Sequence, residues 1–101
     1  MPVETLTLHH GTLRFTALAQ GEGPVVLCLH GFPDHARSYR FQLPALAAAG
    51  YRGVSLTLRG YEPGSIPTDG RYTLEAIAGD VLAVAEQLDR KPLHLVGHDW
   101  G

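Results

Sequence analysis

Pro24-Val25-Val26-Leu27-Cys28-Leu29-His30-Gly31-Phe32-Pro33 begins as an unbroken apolar run and ends in turn-forming residues. Pro24 has no N–H to give to a ladder but is able to begin a strand. Val25 to Leu29 has no polar position, which is the pattern of a strand buried on both faces and therefore central in a parallel sheet. Leu93 to Val96, opened by Pro92, reads the same way, and Val54 to Leu58 is a third such strand. Two helix-prone segments separate these strands. Ser38 to Ala49 is the first, with Pro44 tolerable only where it opens the stretch Pro44 to Ala49 or kinks the helix, and with Gly50 as its stop. The second is clearer. Thr73 is placed to cap it, Glu75 suits its first turn, and Leu74, Ile77, Val81, Val84, Ala85 and Leu88 recur at helical spacing on one face.

Upstream, Glu4 to His9 and Thr12 to Ala19 are Thr-, Leu- and Phe-containing segments separated at His10-Gly11, as an antiparallel hairpin requires, and Gly21 to Pro24 supplies a turn. The order is a β-hairpin followed by strand, helix, strand, helix, strand. That alternation predicts an α/β fold: a mostly parallel sheet with helices on both faces and Leu93 to Val96 returning beside Val25 to Leu29. Repeats, low-complexity tracts and Ser/Gly linkers are absent, so residues 1–101 read as one unit. The Gly/Pro-rich loop Gly60 to Gly70 is long for a compact fold.

Ligands of such sheets lie at the carboxyl ends of the strands, where the winding reverses. His30-Gly31-Phe32-Pro33 follows one central strand, and Gly97-His98-Asp99-Trp100-Gly101 follows its expected neighbour. The second has the form small, any, nucleophile, any, small: a turn so tight that the flanking positions must be nearly bare, with Asp99 at the exposed tip. With glycine at about 7% of residues, Gly-x-Asp-x-Gly somewhere in a chain of this length is roughly a few-per-cent event, and its position after a buried strand beside His-Gly-Phe-Pro sharpens it.

On these motifs the chain resembles the α/β-hydrolase family, in particular its branch of soluble epoxide hydrolases and haloalkane dehalogenases, and the resemblance extends over the whole chain. It implies that residues 1–101 are the N-terminal portion of the core domain, that Asp99 is the nucleophile, and that the backbone N–H groups of Phe32 and Trp100 form the oxyanion hole. It also implies that Phe32, Pro33 and Trp100 line the substrate pocket, while His30, Gly31, Gly97, His98 and Gly101 belong to the structural motif. His-Asp-Trp-Gly is common to both branches, whereas an aromatic residue in third place of His-Gly-Phe-Pro resembles the epoxide hydrolases. Relatives commonly show Asp-x-Arg-Gly where this chain has Thr57-Leu58-Arg59-Gly60, a departure that points to a structural turn at Arg59-Gly60 and leaves Asp99 untouched. The family's base histidine, its acidic partner and its cap tyrosines all lie downstream of the elbow, so the 101 residues alone are expected to be inactive. Organohalide hydrolysis with the same Asp99, and a non-catalytic ligand-binding module, are the competing functions.

A carboxylate suits displacement at a saturated carbon, where a serine would suit acyl transfer. The histidines present do not offer a replacement base. His30 belongs to the turn and His98 should project away from Asp99. His9 and His10 point to opposite faces of a strand, and His94 and His98 are roughly 13 Å apart along an extended chain, too far to share a metal. No metal site and no cofactor is expected. A formal charge of −2 with scattered Lys and Arg leaves no basic stripe for nucleic acid, and no apolar run is long enough to cross a bilayer. The expectations are a small-molecule substrate, a cytoplasmic location, a buried Cys28, packing or surface roles for Tyr61 and Tyr72, and self-association through an apolar edge at Leu93 to Val96.

Overall fold

A computed structural model describes residues 2–31, 35–88 and 93–98 of the chain. The hairpin is β1 (Glu4–His10) and β2 (Leu13–Gln20), antiparallel with Leu6 opposite Ala17 and His10 opposite Leu13. Gly11, at φ 62°, occupies the left-handed region that the two-residue connection needs. Then come β3 (Val25–Leu29), α1 (Gln42–Ala48), β4 (Arg52–Leu56), α2 (Leu74–Leu88) and β5 (Leu93–Gly97). The strands form one sheet in the order β1-β2-β4-β3-β5, with β3 parallel to both β4 and β5 and with β2 antiparallel to β4. The α/β fold and the return of the last strand beside Val25 to Leu29 are thus as the sequence pattern predicts.

All five residues of β3 are buried, and their alternation divides the core in two. Val25, Leu27 and Leu29 join Phe15, Val54, Leu56 and the α2 residue Val84 on one face, while Val26 and Cys28 join Tyr39 and Leu43 of the α1 side on the other. A side chain of this kind removed from water contributes about 1.5–3 kcal/mol, which is why a central strand with no polar position is the most strongly placed element. Cys28 is 1% exposed, and burial pushes its thiol up to about 11, well away from nucleophilic use at neutral pH.

The hairpin strands and β5 differ from expectation by one residue at their ends, and three larger departures each have a tertiary reason. The third strand is Arg52–Leu56 rather than Val54 to Leu58, because the Arg52 N–H donates to the Pro24 carbonyl at 2.9 Å and Arg52 pairs with Val25 at the start of the ladder. Gly53 fits there because α1 crosses so closely that a Cβ would lie 2.8 Å from Leu43 Cδ2. The Arg52 guanidinium also bonds Glu4 Oε1 at 3.1 Å, which holds that carboxyl below its usual range. Second, the segment Ser38 to Ala49 is not one helix. A 3-10 turn at Ala36–Tyr39 is followed by a break and then by α1, so that Pro44 falls in the first turn of α1, where no intrahelical bond to its nitrogen is needed. Third, Leu74 is 68% exposed and leaves the apolar stripe of α2 to Ile77, Val81, Val84, Ala85 and Leu88. Thr73 caps this helix as expected, its Oγ1 accepting the Ala76 N–H at 3.1 Å.

The turn before β3 depends on glycine. At Gly23 (φ 128°) a Cβ would stand 2.0 Å from the Gly50 carbonyl oxygen, and at Gly21 (φ 91°) it would stand 2.3 Å from that of Tyr51. Backbone approaches this close fix where β3 enters the sheet, and with it where His30 emerges.

Candidate active site

Leu29 pairs with Gly97 in the β3–β5 register, and the His98 N–H donates to the Leu29 carbonyl at 3.2 Å. His30-Gly31 and Gly97-His98 therefore leave the sheet from adjacent carboxyl ends, as the two motifs require. The Tyr39 hydroxyl donates to the same Leu29 carbonyl at 2.8 Å, and Ser55 Oγ donates to Ala36 O at 2.6 Å, so the chain on the far side of the first motif is tied back onto β3 and β4. A hollow of about 490 Å³ lies against these strand ends, with His30, Gly31, Tyr39, Gly97 and His98 among its lining. Phe32, Pro33, Asp99, Trp100 and Gly101 lie outside the described residues.

His30 is fully buried. Its Nε2 accepts the Leu58 N–H at 3.0 Å, so that nitrogen carries no proton, and Nδ1 donates to the Gly31 carbonyl at 2.9 Å. The edge of the ring meets Tyr61 with centroids 4.6 Å apart. Both ring nitrogens are thus committed to backbone, which removes His30 as a water-activating base. His98 is exposed, His94 lies edge-on to Tyr51, the His9 backbone pairs with the Gln87 amide, and His35 Nδ1 accepts the Arg37 N–H at 3.1 Å. Among the described residues no group of three or more His, Cys, Asp or Glu is arranged to hold a metal ion, and no helix is long and apolar enough to cross a membrane.

Arg59-Gly60 has the turn role its departure from Asp-x-Arg-Gly implied. Gly60 (φ 87°) lies under Tyr72 and donates its N–H to the Ser65 carbonyl at 2.9 Å, and Thr57 continues the β2 pairing through its N–H to Thr16 O. The Arg59 side chain does far more than the sequence pattern indicated. Its Nε and Nη2 grip the two oxygens of Asp80 at 2.7 and 2.8 Å, and Nη1 reaches the Arg71 carbonyl at 2.8 Å. His10 Nδ1 lies 2.7 Å from Asp80 Oδ1. This fork holds the Arg59 proton more firmly than usual and ties the 60–71 loop, α2 and the hairpin tip together. Asp80 falls within the apolar stripe of α2, between Ile77 and Val84. An acidic residue on a buried face was the signal available in the sequence.

A β-hairpin feeding a mixed sheet, with His30-Gly31 and Gly97-His98 leaving neighbouring strand ends, fits a hydrolase-type α/β core, and the chain belongs to the alpha/beta hydrolase fold family, whose profile matches residues 24–101. It is similar over 100 residues to epoxide hydrolase 3 of Siraitia grosvenorii, at 39% identity over 98% of this chain and 32% of that protein. An epoxide hydrolase of Caballeronia sordidicola is 45% identical over 83 residues, which are 81% of this chain and 25% of that one. Among solved structures, an epoxide hydrolase from Vigna radiata superposes with a TM-score of 0.91 at 40% identity, covering 98% of this chain and 32% of that one. The chain spans about a third of the length of these plant relatives.

Proposed function

We propose that residues 1–101 carry the nucleophile and oxyanion half of an epoxide hydrolase, as the N-terminal portion of its core domain. The observation that supports this is the β3–β5 register, in which His30-Gly31 and Gly97-His98 leave the sheet side by side. A carboxylate oxygen of Asp99 attacks one epoxide carbon in line. The ring C–O bond breaks, its electron pair going to the ring oxygen, which takes a proton from an acid, and an alkyl ester forms on Asp99. Water then adds to the ester carbonyl carbon while a base takes its proton. The oxyanion that develops is held by the Phe32 and Trp100 N–H groups; its collapse breaks the bond to the alkyl oxygen, which takes the carboxyl proton and leaves as the diol, restoring the carboxylate, while the proton held by the base returns to the acid. The acid and the base are assigned to chain outside residues 1–101, so a polypeptide of these residues alone should be alkylated at most once. The similarity to named epoxide hydrolases and the aromatic residue at position 32 favour an epoxide over an organohalide as substrate.

The test is to mix the full-length protein with excess terminal aryl epoxide, quench in acid within one turnover and digest. The peptide carrying Asp99 should gain the mass of one epoxide. Halide release from a haloalkane with no epoxide adduct would assign the dehalogenase reaction, and saturable binding without adduct or turnover would assign a binding module.

The polypeptide 1–101 by itself should also associate along β5, the last strand of the sheet, where Leu95 and Val96 are 58% and 44% exposed. Sedimentation should show species heavier than the 10.9 kDa chain, and a sharp monomer would contradict this.

A further inference from the structure

We propose that His10 is a second nucleophilic centre: an imidazole oriented by the buried Asp80 that takes acyl groups from small uncharged activated esters and passes them to water. It stands at the tip of the hairpin, three strands along the sheet from β3, and neither its geometry nor its chemistry depends on the epoxide reaction proposed above.

Arg59 grips the two Asp80 oxygens at 2.7 and 2.8 Å, so this carboxylate is fixed in place and accepts hydrogen bonds rather than donating them. His10 Nδ1, 2.7 Å from Oδ1, therefore carries the proton, and the lone pair of the neutral ring is on Nε2. That nitrogen makes no hydrogen bond among the described residues. A buried acid that sets the tautomer and aim of an imidazole in this way is the pairing by which histidines are made reactive. The hairpin tip is itself docked on α2: the Gln87 amide pairs with both the N–H and the carbonyl of His9, and a Cβ at Gly79 would stand 3.5 Å from His10 Cε1.

The ring is nevertheless reachable. The His10 side chain is 42% exposed and lines a hollow of about 250 Å³ with Thr12, Leu13, Thr68 and Asp69. That volume is below the range of drug-sized ligands and suits a short acyl group. Thr12 and Thr68 bring hydroxyls, the kind of donor a developing oxyanion takes. Asp69 repels anions while the charge of Arg59 is matched by Asp80, so a neutral ester is favoured over an acyl phosphate. In the reaction, the Nε2 lone pair adds to the ester carbonyl carbon. The C–O bond breaks with its electron pair on the leaving oxygen, which takes the Nδ1 proton relayed by solvent, and an acyl-imidazole remains. Water then adds to the acyl carbon, the C–N bond breaks with its pair on Nε2, one water proton restores Nδ1–H and the carboxylic acid departs.

Two measurements on the full-length protein test this. Brief treatment of the unsubstituted protein with diethyl pyrocarbonate, followed by peptide mapping, should show His10 modified at least about tenfold faster than His9. His9 is the fitting control, being exposed, one residue away and without a side-chain hydrogen bond among the described residues. Equal or slower reaction at His10 would overturn the proposal, and this arm needs no variant to fold. p-Nitrophenyl acetate then probes turnover in Asp99→Ala protein, from which the other proposed nucleophile is absent. Nitrophenol release should continue past one equivalent, with acetyl trapped by acid quench on the peptide that carries His10. Adding His10→Asn, whose amide nitrogen keeps a donor for Asp80 while the nucleophile is gone, should lower the release at least about fivefold. Unchanged release in His10→Asn, or release that stops at one equivalent, would overturn the cycle.

Discussion

Asp80→Asn is expected to destabilise the protein by roughly 3–5 kcal/mol, the cost typical of leaving one member of a buried ion pair without its partner. The side chain of Asp80 is 2% exposed and that of Arg59 is 9% exposed, so solvent cannot replace the lost carboxylate. Asparagine retains the shape but neutralises the charge, leaving the guanidinium buried against a group that offers one acceptor instead of two. The damage extends along the loop, because Arg59 also holds the Arg71 carbonyl, and into the hairpin tip, where His10 loses its charged partner. Urea unfolding followed by circular dichroism measures the loss as a lowered midpoint at constant slope. Replacing both members by apolar residues, Arg59→Met with Asp80→Leu, should recover most of it, since desolvating two charges offsets much of what their attraction contributes. A loss below about 1 kcal/mol for Asp80→Asn would mean that the pair behaves as an exposed one.

Asp99→Ala should lower epoxide turnover by the full-length protein by about 10⁴-fold or more, as expected when the group that forms the covalent intermediate is removed. Substrate affinity should change far less, because in the proposed mechanism Asp99 engages only the reacting carbon and apolar contacts supply most of the binding of a small-molecule ligand. Equilibrium binding of a diol product to the variant, measured by calorimetry, separates the two. Loss of turnover with binding retained is the expected pattern. Loss of both together would indicate that the alanine had disturbed the turn itself. Retained turnover would remove Asp99 from the mechanism.

The parts of the fold that were legible in the sequence are those where one local pattern decides the outcome. Val25 to Leu29 has no polar position to face water, so only a central strand accommodates it, and Thr73 with its downstream apolar spacing specifies a helix start without outside help. Arg52-Gly53 looks unlike a strand, and becomes one only because Pro24 offers a carbonyl and α1 needs the space that Gly53 leaves. The site follows the same division. The neighbouring strand ends that carry His30-Gly31 and Gly97-His98 follow from the crossover rules. The partners of Asp80 lie 21 and 70 residues away and meet only through the tertiary fold. His30 was readable as part of a turn, but its clasp on Leu58, 28 residues distant, was not.

The central claim is that the hydroxyl oxygen added to the product comes first from Asp99 and only later from water. One turnover in ¹⁸O-water, with enzyme in excess over epoxide, tests it directly. Attack of a carboxylate oxygen on carbon followed by water addition at the ester carbonyl predicts unlabelled diol in the first turnover and one ¹⁸O in the peptide that carries Asp99. Labelled diol with an unlabelled peptide would show water attacking the epoxide itself, and would contradict the assignment of Asp99 as nucleophile.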